Sequence, residues 1–176
     1  PDSGAVTNNK TISWSATDEG SNIFGFKYRL AGETWSLMTS SRDHVFSDLV
    51  DGEHTVEIMA IDRAGNEGTA SVTFVVDTVA PTVVSKEPTG NDASVVAVIT
   101  VEFSKAMNKT LTSIVIDGVN GTVTWNGDIA TFKPSSRLVG NLEYTVTVNG
   151  KDLAGNDLNE TTWSFRTAKV VGTVSG

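Results

Sequence analysis

No cysteine occurs in the 176 residues, so thiolate catalysis, thiolate metal sites and disulfide stapling are excluded together. Histidine is nearly as scarce. Only His44 and His54 are present, with no His-x-x-His or Glu-flanked spacing on which a transition-metal centre could be built. Basic residues are outnumbered, 13 Lys plus Arg against 21 Asp plus Glu, and the net charge of -8 repels a phosphate backbone. Nucleic acid is therefore not an expected partner. No run approaches the ~18 uninterrupted apolar residues of a helical membrane span, and the opening PDSGAVTNN has neither the charged nor the apolar region of a signal peptide. With no initiator Met, the expectation is a fragment of something longer.

Signatures of catalysis are also missing. There is no Gly-x-Ser-x-Gly elbow, and a Ser-His-Asp triad could be assembled only by picking arbitrary members of an abundant set. Twenty-one acids always offer a carboxylate pair, but two small domains leave little material for a deep cleft. The expectation is that the chain is not an enzyme. Four Asn-x-Ser/Thr sequons begin at Asn9, Asn108, Asn120 and Asn159, yet in a chain so rich in Asn, Ser and Thr such triplets arise by chance.

What the sequence does have is apolar residues at every second position, the period of a half-buried strand. KTISWSAT places Ile12, Trp14 and Ala16 on one face, IFGFKYRL places Phe24, Phe26, Tyr28 and Leu30, EHTVEIMAID places Val56, Ile58 and Ala60, and TASVTFVVD places Val72, Phe74 and Val76. Between them GETW, SSRD and DLVDGE carry the Gly, Asp and Ser that turns use. After DTVAPT the grammar begins again, with Ile99, Val101 and Phe103, then Ile114 and Ile116, Val123 and Trp125, Ala130 and Phe132, Tyr144, Val146 and Val148, and finally Trp163 and Phe165. Asn126-Gly127 between TVTW and DIATF predicts a tight type I′ hairpin. Only SKAMNKTL, 104–111, is a candidate for a helical turn. Hydrophobic residues at 39% are enough for a core, and short strands separated by turn chemistry predict an all-β chain of sandwich or barrel type.

Length alone permits one large domain or two small ones. A repeat favours two. AIDRAGNEG at 60–68 returns as GKDLAGNDL at 150–158, and HTVEIMAID lies over YTVTVNGKD when the two are aligned. Each is followed by an aromatic strand, around Phe74 and Phe165, so the Asp-x-Ala-Gly-Asn motif is expected to join the last two strands of two similar domains. There Asp62 and Asp152 would accept backbone N–H groups, Gly65 and Gly155 would supply positive φ, and Asn66 and Asn156 would tolerate the left-handed region. This reading as turn chemistry is preferred to its alternative, a loop that binds calcium or a neighbouring domain.

The second half resembles the bacterial Ig-like domains of surface-layer and other exported proteins. The matching marks are Pro88 with Gly90, Phe103-Ser104-Lys105 with Met107-Asn108, Phe132-Lys133-Pro134, Tyr144-Thr145-Val146, Asp152 to Asn156 and Trp163-Ser164-Phe165-x-Thr167. The first half is similar, more loosely, to Ig-like or fibronectin-type repeats of prokaryotic surface proteins. It rests on Trp14, Asp18, Tyr28, Trp35, the Asp51-Gly52-x-His54 corner and the exit from Asp77 to Pro81. The resemblance implies tandem bacterial or archaeal modules that are extracellular and non-catalytic.

Calcium is the one cofactor for which residues can be named, since it takes six to eight oxygen ligands and acidic end-loops supply them. Asp18, Glu19, Asp62 and Asp77 are the candidates, expected to converge where the two domains join. VVDTVAP is similar to a cadherin calcium linker but keeps only Asp77, Ala80 and Pro81 of its signature, so solvated acidic turns without a resident cofactor are the expectation. Trp35 and Trp125 lie beside turns and are the candidate aromatic contacts for a glycan, whereas Trp14 and Trp163 are in phase with the core.

The resulting reading is all-β, with two tandem immunoglobulin-like β-sandwich domains, 1–79 and 80–169, and a polar tail at 170–176. Pro81 makes the connection short and stiff, and strands of ~8 residues at ~3.3 Å predict sandwiches of roughly 35 to 40 Å, stacked as a rod. The expected role is structural: a spacer or stalk of a surface-layer-type protein at the cell surface, with neighbouring domains of the same chain as partners. The alternatives are an adhesin or carbohydrate-binding module, which would add glycans or other surface proteins as partners, and an accessory spacer of a secreted depolymerase.

Overall fold

The computed structural model describes residues 1–20 and 22–170, so the predicted tail lies, beyond Val170, outside the described residues. Among these residues the chain is all-β, with fourteen strands and no helix, and it divides into two compact units between Thr78 and Val79.

The first unit holds β1 (Val6–Thr7), β2 (Thr11–Ser13), β3 (Ile23–Leu30), β4 (Asp43–Val45), β5 (Gly52–Asp62) and β6 (Glu67–Val76). One sheet runs in the order β1-β6-β5-β3, and β2 pairs with β4 to form the other. Their inner faces meet in a core of Ile12, Phe46, Leu49, Val56, Phe74 and Val76, with Trp14, Tyr28, Leu30, Ile58 and Val72 half-buried against it. The period-two pattern therefore names most of this core. One strand departs from it. Phe24 is 57% exposed although Phe26 is buried, because a bulge between Ile23 and Gly25 shifts the register against β5 and turns Phe24 away from the face it was expected to share. Gly25 sits where a Cβ would meet the Met38 side chain at 2.9 Å, so the residue is small because another segment passes close by.

The second unit holds β7 (Val83–Glu87), β8 (Gly90–Ala93), β9 (Ile99–Phe103), β10 (Ser113–Ile116), β11 (Gly121–Asn126), β12 (Ile129–Pro134), β13 (Glu143–Asn149) and β14 (Thr161–Thr167). Its sheets run β11-β12-β9-β7 and β10-β13-β14-β8. The core draws Ile99, Val101 and Phe103 from β9 and Ala130 and Phe132 from β12, and sets them against Ile114, Ile116, Tyr144, Val146, Val148, Trp163 and Phe165 of the other sheet. Two facing sheets with one apolar face each make a sandwich.

Two local expectations are corrected. In the β11–β12 hairpin Asn126 pairs with Ile129, so the two loop residues are Gly127 and Asp128, and of these only Gly127 has positive φ, at 58°. That is the signature of a type II′ turn with glycine first, not of type I′. Residues 104–111 form turns, not a helical turn: Met107 bridges to Asp152 and its side chain is buried in the core, which draws the segment across the unit.

Each unit also closes a corner at the start of its penultimate strand. The Tyr144 hydroxyl accepts the Val139 N–H at 2.8 Å, a tyrosine corner of the kind found in immunoglobulin-like sandwiches. In the first unit His54 occupies the aligned position and its Nε2 lies 2.7 Å from the Val50 carbonyl, to which it donates. Thr78, the last residue of that unit, is held by Asp51 Oδ1 through both its N–H and its hydroxyl.

Candidate functional site: the two Asp-x-Ala-Gly-Asn loops

In both units the motif connects the last two strands, as its spacing predicts, and both copies are built from the same four hydrogen bonds. The Asp62 N–H donates to the Asn66 carbonyl at 3.0 Å and the Gly65 N–H to the Asp62 carbonyl at 3.2 Å; the counterparts at Asp152, Asn156 and Gly155 are 3.0 and 3.3 Å. The aspartate then accepts twice from its asparagine. Asn66 N–H reaches Asp62 Oδ1 at 2.8 Å and Asn66 Nδ2 reaches Oδ2 at 2.7 Å; the Asn156–Asp152 bonds are 2.9 and 2.9 Å. Gly65 and Gly155 have φ of 90° and 97°, which explains the glycine. The asparagines do not take the left-handed region expected of them. Their role is to donate backbone and side chain together to the carboxylate.

A carboxylate engaged on both oxygens by hydrogen-bond donors is already solvated by the protein, which is why Asp62 and Asp152 are buried at 7% and 1% exposure. The second loop goes further. Lys105 Nζ lies 3.2 Å from Asp152 Oδ2 and donates also to the Val79 carbonyl at 2.7 Å, and Asn156 Nδ2 reaches that same carbonyl at 3.3 Å. The motif thus clamps the segment that leads into β7. Burial pushes the Asp152 carboxyl up, but the bonds from the Asn156 side chain and backbone and from Lys105 outweigh it and hold the group below its ordinary 3.8. Sequence reasoning missed Lys105, whose partner lies 47 residues away; only its place beside Phe103 in the family-like Phe-Ser-Lys stretch marked it.

The four acidic calcium candidates are not brought together. Among the described residues no group of three or more acidic or histidine side chains is arranged to hold a metal ion. Asp62 stands at the start of the loop before β6 and Asp77 follows the far end of that ten-residue strand, a separation of roughly 30 Å at ~3.3 Å per residue. Asp18 lies with Asp62 in the lining of one groove but uses Oδ2 to accept the Gly20 and Asn22 N–H groups, a local turn, and Glu19 is exposed beside it.

The aromatic candidates are half-covered. The Arg29 guanidinium lies over the Trp35 ring at 4.3 Å from its centroid. Trp125 stacks on Phe103 at 5.8 Å and packs against the core, with Lys109 Nζ 5.8 Å from its centroid. Trp163 is buried and donates Nε1 to the Pro88 carbonyl at 2.9 Å, as its core phase implied.

Comparison with known proteins agrees with this geometry. Residues 77–167 match the family described as Bacterial Ig-like domain. The fibronectin(III)-like modules of Clostridium thermocellum CbhA superpose with a TM-score of 0.58 at 11% identity, over 96% of this chain and 92% of that one, which shows a shared fold. The N-terminal part of the bacterial S-layer protein SbsC is 26% identical over 53% of this chain and 24% of its own length, with a TM-score of 0.40. No curated protein matches the chain.

Proposed function

Because the chain belongs, through residues 77–167, to the bacterial Ig-like domain family, we propose that it is a non-catalytic structural module of a larger cell-surface or exported protein. It spaces or assembles the domains beside it in the same longer chain. The observation that best supports this reading is how the polar residues of the repeated motif are used. Asp152, Asn156 and Lys105 bind one another and the Val79 carbonyl, so the residues that most resemble a site serve to fix main chain. A module whose task is to hold position needs this, and a catalytic group held so tightly by its own neighbours would have no room for substrate.

A glycan titration tests the proposal. With soluble cell-wall and plant polysaccharides added to the full chain, tryptophan fluorescence is expected to stay unquenched and no reducing ends to appear. Saturable quenching abolished by Trp35→Ala or Trp125→Ala would make the chain a carbohydrate-binding module instead, and turnover would make it an enzyme.

A further inference from the structure

The two units differ at one edge, and the difference has the shape of a strand. In the second unit β7 pairs with the outer edge of β9, closing the sheet over the core. In the first unit the strand that corresponds to β9 is β2 with its continuation Trp14–Thr17. Among the described residues it is paired on one side only: β4 takes Thr11 to Ser13, and the Trp14 N–H donates to the Arg42 carbonyl. In an antiparallel ladder alternate residues direct both backbone groups to opposite sides, so Ser13 and Ser15 present theirs to an edge that has no partner strand among the described residues.

Beside that edge runs a groove of about 530 Å³. Its walls are residues 12–18 on one side and 66–72 of the β6 side on the other, and Ile58 and Ala60 of β5 form its floor. Exposure along it follows from what is not covered. Val148 of the second unit is 0% exposed, while Ile58, which holds the aligned position, is only half-buried, and so is Trp14 on the facing wall. The Trp14 indole Nε1 is buried in this wall without a hydrogen-bond partner, whereas the Trp163 indole of the second unit donates to a carbonyl in the chain that links β7 to β8.

We infer that this groove is a strand-acceptor site, filled by an extended segment with the chemistry of Val79–Glu87, delivered in cis ahead of Pro1 and running antiparallel to Ile12–Thr17. The second unit supplies the register. Gly90, with φ of 71°, leads into the strand that runs parallel to β14, and Gly4, with φ of 79° and its N–H on the Thr73 carbonyl, leads in the same way into β1 beside β6. Ahead of Gly90 the chain is β7, whose Val83 packs on the core and whose Lys86 and Glu87 pair with Val101 and Thr100. The same stretch placed ahead of Gly4 meets Ser13 to Thr17. Its apolar side chains fall on Ile58 and Ala60, and its carbonyls reach the wall that holds the Trp14 indole. This inference rests on the edge and the groove alone and does not depend on the spacer reading.

The test is a fusion that adds a second copy of Val79–Lys86 directly before Pro1 of the full chain, compared with the unextended chain and with a fusion of equal length made of Gly and Ser. Amide exchange at Ser13 and Ser15 is expected to slow at least about tenfold in the strand fusion alone, and the first unit's melting temperature to rise by roughly 5 to 10 °C. A third fusion, carrying Pro in place of the residue equivalent to Ser85, whose counterpart in β7 lies opposite Glu102 in the hydrogen-bonded register, is expected to lose both effects, since Pro cannot donate to the ladder. Unchanged exchange at Ser13 and Ser15 in the strand fusion would overturn the inference. So would equal protection from the Gly-Ser extension, and so would protection that appears only together with dimerisation, which would make the occupant a second copy.

Discussion

Phe165→Ala lowers the unfolding free energy of the second unit by about 3 to 5 kcal/mol and its melting temperature by more than ~10 °C. The side chain is 1% exposed on β14, a strand paired on both sides, by β13 and β8. It stacks on Tyr144 at 5.7 Å between ring centroids, so truncation removes an aromatic contact of about 0.5 to 1.5 kcal/mol as well as its buried area and leaves a cavity that the sheets cannot fill. Phe24→Ala is the internal control. The residue type is the same and the position was expected to be core, but at 57% exposure beyond the bulge its loss is expected to stay within about 0.5 kcal/mol. Denaturant melts of both variants check the pair; equal losses would mean that the bulge does not exist in solution.

The second large effect is electrostatic. Asp152→Ala is expected to cost about 3 kcal/mol, because it strips the acceptor from the Asn156 N–H, the Asn156 side-chain amide and the Lys105 ammonium together and leaves those donors in a buried site. Asp152→Asn keeps the shape and one acceptor and is expected to cost less. The pH dependence follows from the direction of the shift. The native carboxyl titrates below its ordinary 3.8, so the unfolded chain takes up the proton first, and the stability it contributes is complete above that value and lost as pH falls through the lowered native one. The gap between wild type and Asp152→Asn should therefore be widest near neutrality and narrow below about pH 4. A gap that grows on acidification would show that the carboxylate is not held by these donors.

How much of this was legible beforehand depended on whether a residue's role was local. Strands, core faces and the place of the repeated motif were readable because β alternation and a glycine at positive φ write themselves into a few adjacent positions, as at Val146 and Val148 or at Gly65 and Gly155. Phe24 misled because a bulge changes the face without changing the alternation of letters. The 104–111 segment misled because Met107 is claimed by a partner 45 residues later. The clamp on Val79 was invisible for the same reason: Lys105 and Asn156 reach it from 26 and 77 residues away. Asp77 looked like a companion of Asp62 until the direction of β6 carried the two to opposite ends of one strand. The corner made by His54 was hidden by chemistry, since an imidazole stands where the other unit uses a phenol.

The claim on which the rest depends is that the two Asp-x-Ala-Gly-Asn loops are satisfied within the fold and serve to hold main chain, not to bind a ligand. It is tested most directly by thermal melting of the chain in EDTA and again in millimolar calcium. Coincident transitions are expected, since Asp62 and Asp152 already spend both oxygens on their asparagines. A melting temperature several degrees higher in calcium, with the rise abolished by Asp62→Asn or Asp152→Asn, would contradict it and make the loops metal sites.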